Sequence, residues 1–399
     1  MPRSTETAAK RKPATTGQAR RKRPFCTSSG QPHCLEQDFN YEEVMHMKTM
    51  FTFAVAVMAA AQVFAQVKYT EAFYMPEFSA CISRTADGEA FWTCGDERQL
   101  TTPKDLLWKV CFSDGVILAS NVMNVGTSPD EGMNDMEAMA ADQHGGFFVL
   151  TSQSLTSGLE DKANRKRLAH FHSNGQLDQY KDNLRGSMES QFTFLTNYWA
   201  MAPKLGGVDV EGIAYEPSAN RLWFGLRGPL VGSNPAVPGD RAVLLKMNNV
   251  LSGTNFNYAS YTWDATPVYL DLGGEGVRDL FYDTATTNLF ILTGKLEANQ
   301  SLTDGQGNTY TNRQACHLLA YKPATGALTY CMRFPQVPTT PTPNGDTCEA
   351  EGICAITLDS VKKLLVTYDS KTNGVYQAFD FPDPTTFATP DTREGFVGQ

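Results

Sequence analysis

The chain of 399 residues lacks the short motifs that mark the commonest serine-dependent and nucleotide-dependent enzymes. It has no Gly-X-Ser-X-Gly elbow, no P-loop and no glycine-rich dinucleotide fingerprint, so serine hydrolysis and nucleotide-cofactor chemistry have no support. Positive charge is also scarce: the formal net charge is -9, which argues against nucleic acid as a partner. No apolar run reaches the roughly twenty residues that a membrane-spanning helix needs, so no membrane span is expected.

Long helical patterns are nearly absent as well. Outside one aromatic-rich stretch, Met188 to Met201, the apolar residues occur in short runs bounded by turn pairs such as Asp87-Gly88 and Asn373-Gly374. With 41% hydrophobic residues, 32 glycines and 21 prolines, this pattern predicts an all-β protein. We expect the one helical stretch to be an insertion packed on the surface of the β domain.

The first 65 residues differ from the rest and predict export. Residues 1–46 are basic, whereas residues 47–65 resemble a signal peptide: a charged lead, a short apolar run and small residues ahead of Gln66. We interpret the basic extension as a start codon assigned too early; a nuclear-localisation patch and an organelle-targeting extension are the alternatives. The sequence therefore predicts a secreted protein whose folded domain spans residues 66–399.

A short motif recurs along the folded domain and predicts repeated structural units. A charged residue, usually followed by a small one, opens an apolar strand, and a second apolar strand follows about ten residues later. The motif starts at Glu137, Glu211, Arg278 and Glu351, with spacings of 74, 67 and 73 residues, and a weaker copy aligns at Ser79. This spacing is too long for a helical solenoid and suits a four-stranded propeller blade with long loops.

Five copies predict a single β-propeller of five four-stranded blades, with six blades as the alternative. The last copy stops after Gly374–Phe379 and lacks a fourth strand. The segment Val67–Phe73, at the start of the folded domain, can supply that strand. This pairing would close the ring and leave no free strand edge.

Seven of the nine cysteines follow residue 65, and their spacing predicts three disulfides. The predicted pairs are Cys81–Cys94, Cys316–Cys331 and Cys348–Cys354. If Asp87-Gly88 forms a two-residue hairpin turn, Cys81 and Cys94 face each other at a non-hydrogen-bonded site, where a cross-strand disulfide fits best. Cys111 is left as a free thiol. Disulfides agree with secretion, and the alternative is that all seven thiols are reduced. Asn299 begins a glycosylation acceptor.

Several segments resemble a known group of proteins. They are Glu211–Ala214, Gly225–Pro229, Ala242–Leu245, Asp271–Leu280 and Leu289–Gly294. Together they resemble the propeller-like family called domain of unknown function 3616, over most of residues 130 to 300. The Glu-Gly-Ile opening is more distantly similar to phytase-like esterase propellers. Both resemblances imply a propeller fold, and the closer family implies no particular activity.

The repeated opening residue predicts a charged ring in the central channel, because the first strand of each blade lines that channel. The ring consists of Ser79, Glu137, Glu211, Arg278 and Glu351. Two residues earlier, on the same strand face, lie Glu77, Asp135, Asp209 and Glu349. Carboxylates this close repel each other unless a cation or an arginine compensates them. Calcium, bound by Glu137, Glu211 and Glu351, is the candidate cation. Arg227 and Arg278 are the candidate counter-charges.

Two functions fit this ring. The first is a secreted module that binds a small-molecule or protein ligand at the channel mouth, through Arg227, Arg278, Glu137, Glu211, Glu351, Asp135 and Asp209. The alternative is a calcium-assisted phosphoesterase or esterase of the phytase-like kind, with the arginines clamping the substrate. We favour the binding module because no nucleophile or general base stands out. A purely structural ring, in which each glutamate accepts backbone N–H bonds from the next blade, is the remaining interpretation.

Overall fold

A computed structural model describes residues 67–70, 78–95, 106–122, 132–294, 302–303, 309–310, 316–338, 347–370 and 374–383. All of them belong to the unit Val57–Gln399. The predicted basic extension 1–46, the predicted signal peptide 47–65, Glu77 and the acceptor Asn299 lie outside the described residues. No helix within the described ranges is both long and apolar enough to cross a bilayer.

The described residues form five antiparallel sheets arranged as the blades of one β-propeller, which confirms the predicted fold. Blade 1 contains the strands Phe78–Ile82, Ala90–Gly95, Leu106–Cys111 and Ile117–Val122. Blade 2 contains Met136–Ala141, Phe147–Thr151, Leu168–Phe171 and Leu177–Lys181. Blade 3 contains Asp209–Glu216, Arg221–Gly228 and Arg241–Asn248, and its fourth strand is split into Thr262–Trp263 and Val268–Asp271.

Blades 4 and 5 follow the same order. Blade 4 contains Gly276–Asp283, Asn288–Gly294, Cys316–Lys322 and Ala327–Phe334. Blade 5 contains Ala350–Leu358, Val361–Tyr368, Val375–Asp380 and, from the start of the domain, Lys68–Tyr69. Two-stranded ribbons are formed by Leu251–Ser252 with Asn255–Phe256, Leu302–Thr303 with Thr309–Tyr310, and Val337–Pro338 with Thr347–Cys348. Short 3-10 turns occupy Thr85–Asp87, Ala163–Arg165, Thr193–Leu195, Pro203–Leu205 and Pro217–Ala219.

The ring closes through the N-terminal strand, as predicted, although only residues 67–70 of the predicted segment Val67–Phe73 belong to the described residues. Lys68 lies opposite Tyr376 in an antiparallel pair, and the Thr70 N–H donates to the Gly374 carbonyl at 2.9 Å. The Thr70 hydroxyl in turn accepts a hydrogen bond from the Gly374 N–H at 3.1 Å. The last blade is therefore completed by the first strand of the domain, which pairs with the start of the third strand at Val375 and Tyr376.

The apolar core is divided among the five interfaces between neighbouring blades. The second strand of each blade sends successive side chains to opposite sides, because side chains alternate along a strand. Phe147 packs towards blade 1 and Phe148 towards blade 3. Trp223 and Phe224 divide in the same way between blades 4 and 2. Burying a side chain of this size stabilises the fold by roughly 2–3 kcal/mol.

The insertion between blades 2 and 3 contains one α-helix, which overlaps the predicted stretch Met188 to Met201 only from Met188 to Gln191. The helix spans Leu184–Gln191 and follows Asn183, whose side chain accepts a hydrogen bond from the Gly186 N–H at 3.2 Å. Met188 and Phe192 are buried in the apolar cluster of blades 2 and 3. The insertion therefore extends the core of that interface, whereas the sequence predicted a segment packed on the surface.

The predicted Cys81–Cys94 disulfide is wrong, because the two free thiols do not lie opposite each other. Residues Thr85–Asp87 form a 3-10 turn in place of a two-residue hairpin. Cys81 consequently lies opposite Thr93, one residue out of the predicted register, and Cys94 lies opposite Ala80. A shift of one residue turns the two cysteines to opposite faces of the blade, where they enter different core clusters.

The other two predicted disulfides are absent for similar reasons. Cys316 lies opposite Phe334, and Cys331 is the extra residue of a bulge in the next strand. Cys348 packs at the interface of blades 4 and 5, whereas Cys354 packs at the interface of blades 5 and 1. Neither predicted pair brings its two thiols together.

Candidate functional site

Each first strand carries a β-bulge at the predicted ring position. The pairing with the second strand skips one residue in every blade, and the skipped residues are Ser79, Glu137, Glu211, Arg278 and Glu351. A bulge leaves one residue outside the ladder and changes the direction of its side chain. All five side chains line one cavity at the end of the channel. The repeated sequence motif thus corresponds to a repeated backbone irregularity.

The glycine that follows a ring glutamate lets neighbouring blades approach closely. A Cβ atom on Gly212 would lie 3.0 Å from the Asp279 Cα in the next blade. A Cβ atom on Gly352 would lie 2.9 Å from the Ala80 Cα. Such distances are too short for a side chain, so only glycine fits without a backbone shift.

Asp279 departs from this small-residue pattern and ties two blades together. Its carboxylate accepts the N–H of Ile353 in blade 5 at 2.7 Å and the N–H of Leu280 at 2.8 Å. The side chain is fully buried, and burial raises the pKa of the Asp279 carboxyl well above its usual range. The backbone staple considered for the ring glutamates is therefore found at Asp279, which sequence reasoning did not single out.

The ring surrounds a cavity of about 370 Å³ at the channel mouth. The predicted mouth residues all line it: Asp135, Glu137, Asp209, Glu211, Arg227, Arg278 and Glu351. Arg165 and Asp369 line it as well, although the sequence analysis missed both. Arg165 lies in a connection whose sequence does not repeat between blades, so no sequence signal marks it. Asp369 directly follows the second strand of blade 5, and this position is the one feature from which its place at the mouth could have been predicted.

Arg227 extends from the second strand of blade 3 and binds two acids of the first strand. Its guanidinium lies 2.5 Å from Asp209 Oδ2 and 2.5 Å from Glu211 Oε1. Burial opposes the charge, but attraction to Asp209 and Glu211 is stronger and raises the pKa of Arg227 above its usual value. The three side chains form a charged unit within one blade.

Arg278 connects three blades through ion pairs. It extends from blade 4, and its Nη1 donates to Oε1 and Oε2 of Glu351 in blade 5 at 2.6 and 2.9 Å. The same nitrogen lies 3.3 Å from Glu211 Oε2 in blade 3, and Nη2 lies 3.9 Å from Glu349 Oε2. Burial opposes the charge, but Glu351 and Glu211 raise the pKa of Arg278 well above its usual value. Glu211 and Glu351 thus share one arginine.

A third arginine, Arg165, balances the negative charge of Asp135 in blade 2. Arg165 forms an ion pair with Asp135 and donates to the Ser154 hydroxyl at 3.0 Å. Asp135 adopts a left-handed backbone conformation, with φ of 64°, immediately before the first strand of blade 2. Asp135, which strand alternation placed beside Glu137, therefore does line the mouth. Its ion-pair partner Arg165 lies in the 3-10 turn Ala163–Arg165.

Negative charge exceeds positive charge at this mouth. Seven carboxylates stand against three guanidiniums, a formal excess of four negative charges; they are Asp135, Glu137, Asp209, Glu211, Glu349, Glu351 and Asp369. Burial raises the pKa of Glu211 to about 7, with Asp209 and Asp135 adding to the shift and both nearby arginines opposing it. Burial, reinforced by Glu211 and Asp369, raises the pKa of Glu351 well above its usual range. Near neutral pH, the Glu211 carboxyl is therefore able to take up or release a proton.

Most carboxylates of the mouth form ion pairs with arginines; they are Asp135, Asp209, Glu211, Glu349 and Glu351. Within the described ranges, no three acidic, histidine or cysteine side chains are grouped as a metal site. The predicted calcium ligands Glu137, Glu211 and Glu351 line the same cavity, but Glu211 and Glu351 direct their oxygens at arginines. A bound cation would have to compete with those arginines, and calcium binding stays a prediction.

Solved structures that are similar to this chain are distant in sequence. A GH43 beta-1,3-galactosidase with galactodeoxynojirimycin is 10% identical, with a TM-score of 0.43 over 80% of this chain and 95% of its own. PhoX from Pseudomonas fluorescens, in complex with the transition state analogue vanadate, is 13% identical, with a TM-score of 0.34 over 76% and 69%. The WD40 repeats of RRP9 are 9% identical, with a TM-score of 0.33 over 79% and 80%. No curated protein matches the sequence.

A family model matches residues 148–378, which is more than half of the chain. The matched segment runs from the second strand of blade 2 to the third strand of blade 5. It includes the ring residues Glu211, Arg278 and Glu351 and the counter-charge Arg227. As the resemblance over residues 130 to 300 predicted, the chain belongs to the family described as Protein of unknown function (DUF3616).

Proposed function

We propose that this protein is a secreted binding module whose channel mouth takes the positively charged group of a small ligand. The supporting observation is the excess of carboxylates over arginines in one cavity, where burial disfavours the ionised forms of Glu211 and Glu351. A bound cation would lower the pKa of both carboxyls, because an opposite charge favours the ionised form. The signal-like segment 47–65 supports secretion.

Two kinds of cation suit this chemistry. Ca²⁺ takes several carboxylate oxygens, and a primary ammonium group donates up to three hydrogen bonds to them. The cavity of about 370 Å³ falls within the range of small-molecule sites and has room for an amine of several carbon atoms. The shared feature is recognition of positive charge by Glu137, Glu211 and Glu351.

A thermal unfolding experiment tests this proposal with two probes, CaCl₂ and a primary diamine. A ligand that binds only the folded state raises Tm in a concentration-dependent way. We expect such a rise with at least one probe, and a smaller rise in Glu211→Gln. The matched control is Glu160→Gln, because the Glu160 side chain is 66% exposed and lies outside the mouth.

Two results of this experiment would contradict the proposal. If neither probe changes the Tm of the wild type, the mouth is a structural ring and the proposed function fails. The same conclusion follows if Glu160→Gln reduces the shift as much as Glu211→Gln, since the response would then reflect general surface charge.

A calcium-assisted phosphoesterase or esterase is the second candidate. Arg227 and Arg278 stand beside carboxylates in one cavity, a combination that can hold an anionic oxygen next to a metal. Glu211, with a pKa of about 7, also suits proton transfer near neutral pH. A screen of phosphomonoesters and acyl esters, with and without calcium, tests this candidate. Calcium-dependent turnover lost in Glu211→Gln would support it, and no turnover across the screen would remove it.

A further inference from the structure

Blades 1 and 5 meet at the seam where the ring closes. Their first strands, Phe78–Ile82 and Ala350–Leu358, lie side by side, so that a Cβ on Gly352 would come within 2.9 Å of the Ala80 backbone. The seam has its own apolar cluster, which contains Phe91 of blade 1 and Leu365 of blade 5. These two blades are the most distant along the chain, and packing at the seam holds the ring shut.

Two cysteines lie next to each other within this seam. Cys81 of blade 1 is 1% exposed and Cys354 of blade 5 is 3% exposed. Both belong to the apolar cluster of the seam, and both line a second cavity of about 800 Å³ formed by the far ends of the first strands. After burial, Cys354 is the next cause that raises the pKa of the Cys81 thiol. The two side chains therefore enter the same interface from neighbouring blades.

Several other thiols contact oxygen atoms in different parts of the molecule. Cys94 Sγ lies 3.7 Å from the Met136 carbonyl, Cys111 Sγ 3.1 Å from the Ser113 hydroxyl, Cys316 Sγ 3.5 Å from the Ala350 carbonyl and Cys348 Sγ 3.4 Å from the Val337 carbonyl. Among the described cysteines, Cys81 and Cys354 are the two that pack in the apolar cluster of the seam. A bond between these two would replace the pairing of Cys81 with Cys94 that the sequence spacing predicted.

We propose that Cys81 and Cys354 form a disulfide that locks blade 1 to blade 5. The thiolate of one cysteine attacks a small-molecule disulfide, such as oxidised glutathione, and releases one small thiol. The second thiolate then displaces the other small thiol from the mixed disulfide. The protein loses two protons and two electrons, and the S–S bond of the oxidant is reduced to two thiols. The structure shows the reduced state of this pair.

This disulfide is expected to form while the chain folds. Burial, reinforced by Cys354, raises the pKa of the Cys81 thiol well above its usual value, so the thiolate needed for exchange is scarce once the ring is closed. The same burial would shield the finished bond from reductants. Because the bond closes a loop of about 270 residues, it restricts the unfolded chain and should raise Tm by roughly 5–10 °C.

Oxidative refolding of the full chain tests the proposal. The protein is refolded with oxidised and reduced glutathione and digested without reductant, and mass spectrometry is expected to find the Cys81 and Cys354 peptides linked. The oxidised protein should melt roughly 5–10 °C above the reduced protein. This difference should vanish in Cys354→Ser and persist in Cys331→Ser, a control at a half-buried thiol of blade 4.

Recovery of Cys81 and Cys354 as free thiols after oxidative refolding would overturn the proposal, as would links from either to another cysteine. If the serine hydroxyl prevents folding in the apolar seam, Cys354→Ala and Cys81→Ala take its place, because alanine buries no polar group. Neither alanine variant should show a redox-dependent Tm shift. A shift equal to that of the wild type in either variant contradicts the proposal.

Discussion

Glu211 is the residue on which the charge balance of the channel mouth depends most. Its side chain is 3% exposed, with Oε1 2.5 Å from Arg227 and Oε2 3.3 Å from Arg278. Even with two arginines beside it, burial raises its pKa to about 7. The ionised carboxylate is therefore held in the folded protein at a free-energy cost, which a bound cation would reduce.

The pH dependence of stability should reveal this cost. The folded protein holds the Glu211 proton up to about pH 7, whereas the ordinary value is 4.5. The stability from this group is therefore fully present below pH 4.5 and is lost as the pH rises through 7. Between about pH 5 and pH 8, the fall in the free energy of unfolding should be smaller in Glu211→Gln by roughly 3 kcal/mol. Urea unfolding at several pH values measures this fall. If the free energy of unfolding falls with pH equally in Glu211→Gln and in the wild type, Glu211 is not the group with the raised pKa.

At the scale of the strand, the decisive feature is the bulge at each ring position. A bulge places the ring side chain in the cavity, and the following small residue admits the neighbouring blade. The Glu-Gly pairs at Glu211 and Glu351 were visible in the sequence, although the bulges themselves were not, because an extra residue in a ladder leaves no compositional mark. The strand register at Cys81 could not be predicted either, because the 3-10 turn Thr85–Asp87 shifts the pairing by one residue.

Gly352→Ala should destabilise the protein. The added Cβ would lie 2.9 Å from the Ala80 Cα and 2.4 Å from the Thr367 hydroxyl, so the backbone of a neighbouring blade must move. We expect a loss of about 1–3 kcal/mol in the free energy of unfolding. Gly158→Ala is the matched control, since its new Cβ would meet only the Thr156 hydroxyl at 3.7 Å. Equal stability of both variants in urea would show that the close approach is not required.

At the scale of the whole molecule, the repeat determines what could be predicted. Blade number, the closing strand and the ring were all predictable, because they follow from a spacing that recurs from Glu137 to Glu351. Arg165 and Asp369 were not, because the connections that hold them differ from blade to blade. The hydrogen bond from the Ile353 N–H to the Asp279 carboxylate could not be predicted, because the other copies carry alanine or glycine at the position of Asp279.

Closure of the ring should contribute to global stability through Thr70. Thr70→Pro removes the N–H that donates to the Gly374 carbonyl, and it also removes the hydroxyl that accepts from the Gly374 N–H. The two lost hydrogen bonds should lower the free energy of unfolding by about 1–3 kcal/mol. Thr70→Ser keeps both groups and should remain close to the wild type. If Thr70→Pro unfolds at the same urea concentration as Thr70→Ser, the N-terminal strand does not hold the ring closed.

Proton release on binding is the most direct test of the cation site. Calcium or the diamine is titrated into the protein at about pH 7 in two buffers with different ionisation enthalpies, and the difference in heat gives the number of protons exchanged. Because Glu211 is only partly ionised near its pKa of about 7, binding of a cation should release protons to the buffer. The release should decrease in Glu211→Gln and remain in Glu160→Gln. Binding without proton release, or release that is unchanged in Glu211→Gln, would contradict a cation site at the acidic channel mouth.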